Sequence, residues 1–244
     1  MPYLTHTDYV QAREAYCYVD LDAHFNVLQT GSLPYTGRIQ GIFPRVVPAT
    51  HQAGINLRKF EVICETVFAE ADSADALGYS TPDHLANIRN VVCAIVHWKM
   101  ASQGGRGKVQ NVQDRWTQST HAQLLRAYRQ RSLSAFRIDG IRIPTATAML
   151  RFTYPNEFGI MDKRVVTRHT QPAGITTLSL RQVDSYINDT RDNVHKYHRE
   201  YIPFLVAEAT ALNNAGVTFS DVDPGGRHVQ VAFRPCDVEM ALFL

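Results

Sequence analysis

The stretch that most constrains this chain is residues 136–165, FRIDGIRIPTATAMLRFTYPNEFGIMDKRV. A short apolar lead runs into Asp139-Gly140. A small-residue helix is expected at 144–152. Tyr154-Pro155-Asn156 breaks it, and a second apolar approach delivers Asp162 at the start of a cationic helix. Each step has a local cause. Gly140 can adopt positive φ, as a tight turn between helices requires. Pro144 has no amide hydrogen and a fixed φ, so it suits a first helical turn. Thr145, Ala146, Thr147 and Ala148 are small enough for a neighbour to approach closely, and Met149, Leu150 and Phe152 add apolar weight. A turn backed by a helix N-terminus offers backbone N–H groups to a phosphate oxygen, and Arg142 adds a cation.

This pattern of hairpin, loop and single acidic residue resembles the helix-hairpin-helix DNA glycosylase superfamily. Gly140 falls on the first hairpin glycine of that family. Arg142 stands where the second glycine usually sits, which is a departure. Ala146 and Met149 fall on small and apolar positions of the second hairpin helix, and Asp162 falls on the catalytic Asp. Members that also cut the strand keep a Lys four residues after the first hairpin glycine; that position is Pro144 here. The resemblance covers roughly residues 98–168. It implies a mainly α fold and a monofunctional glycosylase without cofactor: Asp162 assists, water is the nucleophile, and an abasic site is left. The partner implied is double-stranded DNA, bound by a monomer.

The resemblance also supplies candidate contacts. Gly140, Arg142, Lys163, Arg164, Arg106 and Lys108 are candidates for DNA. Trp98, Trp116, Tyr154 and Phe158 are candidates for lining the pocket of a base flipped out of the stack; Phe152 is also near the motif. A carboxylate beneath the sugar would stabilise oxocarbenium character and orient water. Asp162 has a structural alternative, since Asp is a good N-cap. Lys163 is a weaker candidate for a displaced Schiff-base amine. The sequence does not name the base. The departures at Arg142 and Pro144 and the unusual N-terminal arm suggest specialised substrate choice, and keep hypermodified phage DNA, and hence anti-phage defence, among the substrates alongside DNA repair. The rival from another class is a non-catalytic DNA-binding protein that uses the hairpin as a phosphate grip.

Charge bears on the partner. The formal net charge is only +2. Residues 99–168, however, hold thirteen Lys and Arg against Asp114, Asp139, Glu157 and Asp162, while Asp20, Asp22, Glu61, Glu65, Glu70, Asp72 and Asp75 lie outside. A basic centre between acidic flanks suits a polyanion on one face; solvated helix faces are the plainer reading.

Several classes are excluded. Cys17, Cys64, Cys93 and Cys236 are scattered without a Cys-x-x-Cys, which argues against a zinc ribbon and a four-cysteine iron–sulfur loop. No metal site is expected. Reduced, mostly buried thiols fit the cytoplasm. The glycines at 104–107 do not form a nucleotide loop, because Val109 follows Lys108 where Ser or Thr is required. No apolar run spans a bilayer and the first residues carry no signal-peptide pattern.

At 244 residues the chain can bury one substantial core, in one lobe or two lobes sharing a cleft. Residues 1–54, punctuated by Gly and Pro, read as an irregular arm packed on the body, with room for a short helix before it. Residues 55–244 read as the helical glycosylase-like domain. Helices are expected at 55–70, at 84–100 behind Thr81-Pro82-Asp83, and at 111–130 after a basic loop at 102–108. A short helix is expected at 178–187 and a long one at 192–213, kinked at Pro203. An extended piece at 228–233 and a terminal helix from Pro235 complete the chain.

Overall fold

The computed structural model describes residues 3–15, 20–21, 27–28, 57–100, 105–135, 141–181 and 186–243. The described chain is mainly helical. The hairpin turn with Gly140, Cys17 and most of the 1–54 arm lie outside these residues. The elements are α1 (His6–Ala15), a minimal pair β1 (Asp20–Leu21) and β2 (Val27–Leu28), α2 (Leu57–Ala76), α3 (Pro82–Met100), α4 (Gly105–Asp114), α5 (Gln118–Gln130) and α6 (Ile143–Thr153). They continue with α7 (Lys163–Val165), α8 (Arg191–Lys196), α9 (Ile202–Asn214), β3 (Thr218–Val222), β4 (His228–Ala232) and α10 (Pro235–Phe243).

Two helices form the centre. α10 is buried from Pro235 to Leu242 and packs against α1, α9 and α7. α6 is buried along nearly its whole length and packs against α2 and α3. A helix buried all round belongs to the middle of a core. The small residues Ala146 and Ala148 allow that close approach, and Phe152 meets both Phe60 and Trp98 edge-on. α2 presents Phe60, Ile63, Cys64, Val67, Phe68 and Ala71 to this core at helical spacing. Cys64, Cys93 and Cys236 are buried free thiols.

Some local expectations need correction. The span 111–130 is two helices. Thr117 restarts the second with a capping box closed by Thr120, in which each side chain accepts from the other residue's backbone amide. The basic loop at 102–108 is already helical from Gly105. Residues 178–187 do not form a helix where described: Leu180 and Ile187 make an antiparallel bridge. Buried Asn193 holds that bridge, because its side-chain oxygen accepts from the Ser179 amide and its Nδ2 donates to Ser179 O and Asn188 O. β4 has a partner strand the pattern did not reveal: β3 pairs with it around the turn at Gly225-Gly226.

The long C-terminal helix is continuous from Arg191 to Asn214, but Tyr197–Tyr201 is a π-helical turn. Pro203 cannot donate to Arg199 and its ring crowds that carbonyl, so the widened turn falls where an α-turn would clash. The N-terminal α1 is docked onto the body. Tyr9 Oη donates to Glu208 at 2.6 Å, and Arg13 reaches Asp221 and Asp237.

Candidate functional site around Asp162

Asp162 caps the short α7. Its Oδ1 accepts from the Arg164 amide at 2.9 Å, so the structural role open to this residue is filled. Its other oxygen receives Lys99 Nζ at 2.6 Å, from the last turn of α3. Both side chains retain a little exposure, 15% for Asp162 and 12% for Lys99. Burial alone would push the Asp162 carboxyl up. The Lys99 ammonium and the Arg164 amide outweigh it and hold the group below the usual carboxylate range. Asp162 is therefore an ionised, partly accessible carboxylate at neutral pH.

The segment that delivers it is clamped from several sides. Tyr197 and Tyr201, one helical turn apart on the π turn, donate to Gly159 O and Ile160 O, each at 2.8 Å. The Met161 amide donates to Thr147 Oγ1 of α6 at 3.1 Å. The Ile160 amide faces the Glu239 carboxyl of α10 and favours its charged form. Gly159 leaves no room for a side chain, since a Cβ there would sit 2.5 Å from Leu205 Cδ1 and 3.0 Å from Glu239 Cβ. Such a framework fixes a carboxylate on rigid elements.

The cations divide into two groups. Lys163 Nζ lies 4.7 Å from the Tyr186 ring centroid, and exposed Arg164 lies 4.8 Å from that of Phe243. Both flank Asp162 directly. Arg142 is exposed at the start of α6, and Lys108 is exposed on α4. Arg106 lies in the first turn of α4, with its side chain outside the described residues. Other members of the basic centre are taken by acids that the sequence sets apart from it. Arg129 pairs with Asp72 and Asp75, and buried Arg151 pairs with Glu61 at 2.6 Å. Folding α2 onto α5 and α6 thus neutralises part of the central charge.

The start of α6 is also occupied. Asp189 Oδ1 accepts from the Ile143 amide at 2.8 Å, Pro144 has no amide hydrogen, and the next two amides bond Arg142 O. The first-turn donors that a phosphate grip would use therefore already have acceptors, one of them a carboxylate.

The aromatic candidates are not gathered at Asp162. Trp98 is buried against Phe152. Phe158 is buried and stacks on Tyr197 at 13°. Tyr154 stacks on Tyr128 at 5.1 Å, donates to Tyr128 O and lies under Arg131. Trp116 lines a 420 Å³ groove with Pro82, Leu85, Ala86, Arg89, Thr117 and Gln118. That groove is at the opposite end of α3 from Lys99; Arg89 and Lys99 are separated by about 15 Å of helix.

Sequence reading missed Lys99, Glu239, Tyr197 and Tyr201 as parts of the site. Two signals were present. The tyrosines stand four residues apart on one helix face, and Glu239 is an acid between Val238 and Met240 in a largely apolar helix. The chain matches no protein-family model, no curated protein and no solved structure.

Proposed function

We propose that this chain is a monofunctional DNA glycosylase in which Asp162 stabilises the developing sugar cation and orients water for hydrolysis of the N-glycosidic bond. The carrying observation is the state of Asp162: an ionised carboxylate, still partly exposed, held on a clamped segment between Lys163, Arg164 and Lys99. A carboxylate fixed before the reaction stabilises positive charge without reorganisation at the moment of bond breaking. Lys163, Arg164 and Arg142 are the cations assigned to the DNA backbone, with Lys108 and Arg106 further along. The substrate is a modified or damaged base, and hypermodified phage DNA is among the substrates to be tested, with anti-phage defence as the setting that would follow.

The rival reading, a binding protein gripping phosphate through the hairpin, is weakened by the Asp189 carboxylate on the Ile143 amide. The test is base release from duplexes carrying oxidised, alkylated, mismatched or hypermodified bases, comparing wild type with Asp162→Asn. Wild type should leave abasic sites, and the variant should be slower by on the order of 10²-fold or more. Equal rates, or DNA binding without release from any substrate, would overturn the proposal. A borohydride-trapped adduct would instead identify an amine nucleophile, with Lys99 the amine in contact with Asp162.

A further inference from the structure

Glu239 is the part of this site with no assigned role. It is 2% exposed, and the Ile160 amide, two residues before Asp162, faces its carboxyl group. Its Oε2 is buried without a hydrogen-bond partner. The charged and titratable groups that bear on it come from four neighbouring segments. They are Lys99 of α3, Asp162 of the delivery segment, Arg151 of α6, and Tyr197 and Tyr201 of the π turn. None of them is a dedicated counter-ion. Arg151 is held by Glu61 at 2.6 Å, and Lys99 is in contact with Asp162. The tyrosine hydroxyls are turned to Gly159 O and Ile160 O. Glu239 is thus a second carboxyl beside a cation already engaged by the first.

We propose that Glu239 is a positioning residue for Asp162: by holding or releasing its proton it sets the net charge of the Lys99–Asp162–Glu239 cluster. With Glu239 neutral, the Lys99 ammonium cancels Asp162 and the cluster has no net charge. With Glu239 ionised, the Lys99 ammonium acts on two carboxylates and one negative charge remains at the site. Only a proton is exchanged, with solvent, and no bond to Glu239 forms. A negative cluster stabilises an adjacent sugar cation better than a neutral one. The effect on rate rests on the glycosylase reading of Asp162; the charge coupling does not. Burial, reinforced by the Asp162 charge and opposed by Lys99, Arg151 and the Ile160 amide, pushes the Glu239 carboxyl up to about 8, so the change falls in an accessible pH range.

The experiment has two arms on the full chain. In the first, single-turnover base release is followed from pH 6 to 9.5 for wild type and Glu239→Gln. Gln keeps the shape of the side chain and an oxygen facing the Ile160 amide, and cannot ionise. The wild-type rate should rise severalfold through about pH 8, and the variant should lack that rise. In the second, the Asp162 carboxyl carbon is followed by NMR over the same range. It should show a step near that pH in wild type and none in Glu239→Gln. This arm needs neither substrate nor turnover. Identical pH–rate profiles, or an Asp162 resonance that does not respond in wild type, would overturn the proposal. No base release at any pH with the NMR step intact would sink the glycosylase reading and leave the coupling standing.

Discussion

Two carboxyl groups on α10, Asp237 and Glu239, stand two residues apart, both buried, and their environments drive them in opposite directions. Asp237 faces Arg13 at 3.1 Å, Arg234 at 2.8 Å and Arg58 at 3.5 Å. Burial opposes its ionisation, but these guanidinium groups outweigh burial and hold it well below the usual carboxylate range. Glu239 is on the other side of the helix, where Lys99 already serves Asp162, and burial prevails. A helix turns about 200° in two residues, so neighbouring acids can meet separate surroundings. Depth of burial is nearly the same at the two positions; the number of cations within ion-pair distance differs. The first region is a framework, in which Glu61 and Asp221 join Asp237 with four arginines to tie α1, α2, α6, β3 and α10 together. The second is adjustable, and it lies beside the accessible carboxylate.

The strongest way to break this contrast is to remove the framework acid. Asp237→Ala removes the one carboxylate that Arg13, Arg58 and Arg234 all touch and should cost about 3–5 kcal/mol by urea unfolding. A loss below about 1 kcal/mol would show that water or neighbouring acids replace it and that the framework is redundant.

The pH dependence of stability sharpens the same comparison, because the two groups act with opposite signs. Asp237 is depressed in the folded state, so its contribution is present above the unfolded pKa of about 4 and is lost as pH falls below it. Glu239 is raised, so the folded state binds its proton more tightly. Its contribution is complete below about pH 4 and is lost as pH rises toward about 8. Glu239→Gln should therefore gain stability relative to wild type over that interval and level off above it. The gain is at most about 5 kcal/mol, from about 1.4 kcal/mol per pKa unit. Denaturant midpoints measured from pH 4 to 9 check this, and a constant difference between the two proteins would contradict it.

A smaller effect is expected at Gly159. Gly159→Ala would force Leu205 and α10 aside at a contact of 2.5 Å and should destabilise by about 1–3 kcal/mol. If the delivery segment is as tightly held as its hydrogen bonds indicate, the variant should also shift the Asp162 carboxyl resonance. An unshifted resonance would mean that Leu205 and α10 yield without moving the delivery segment.

Much of this was legible from short-range rules. Thr81-Pro82-Asp83 marked the start of α3, Pro144 the first turn of α6, and Asp162 a helix cap, because each depends on a residue's own backbone preferences and its neighbours within one turn. The Thr117 capping box was equally local and was missed because an apolar period ran across it. The β3 partner of β4 was obscured by a strand of only five residues, in which Asp221 takes an inward position and breaks the apolar alternation.

The site was only half legible. The sequence alone determined a mainly helical chain and put an acid after a hairpin-like segment and before a cationic turn. It could not determine what that acid would face. Lys99 is 63 residues from Asp162, and Glu239 lies on the last helix. The acids of α2 and the arginines of α5 and α6 read as separate blocks along the chain, yet they neutralise one another in space. Ionisation and pairing depend on distances of a few ångströms and on how far water is excluded. Those quantities exist only once helices remote in sequence have packed, so the tertiary structure alone decided which carboxylate is a fixed part of the frame and which carries an adjustable proton.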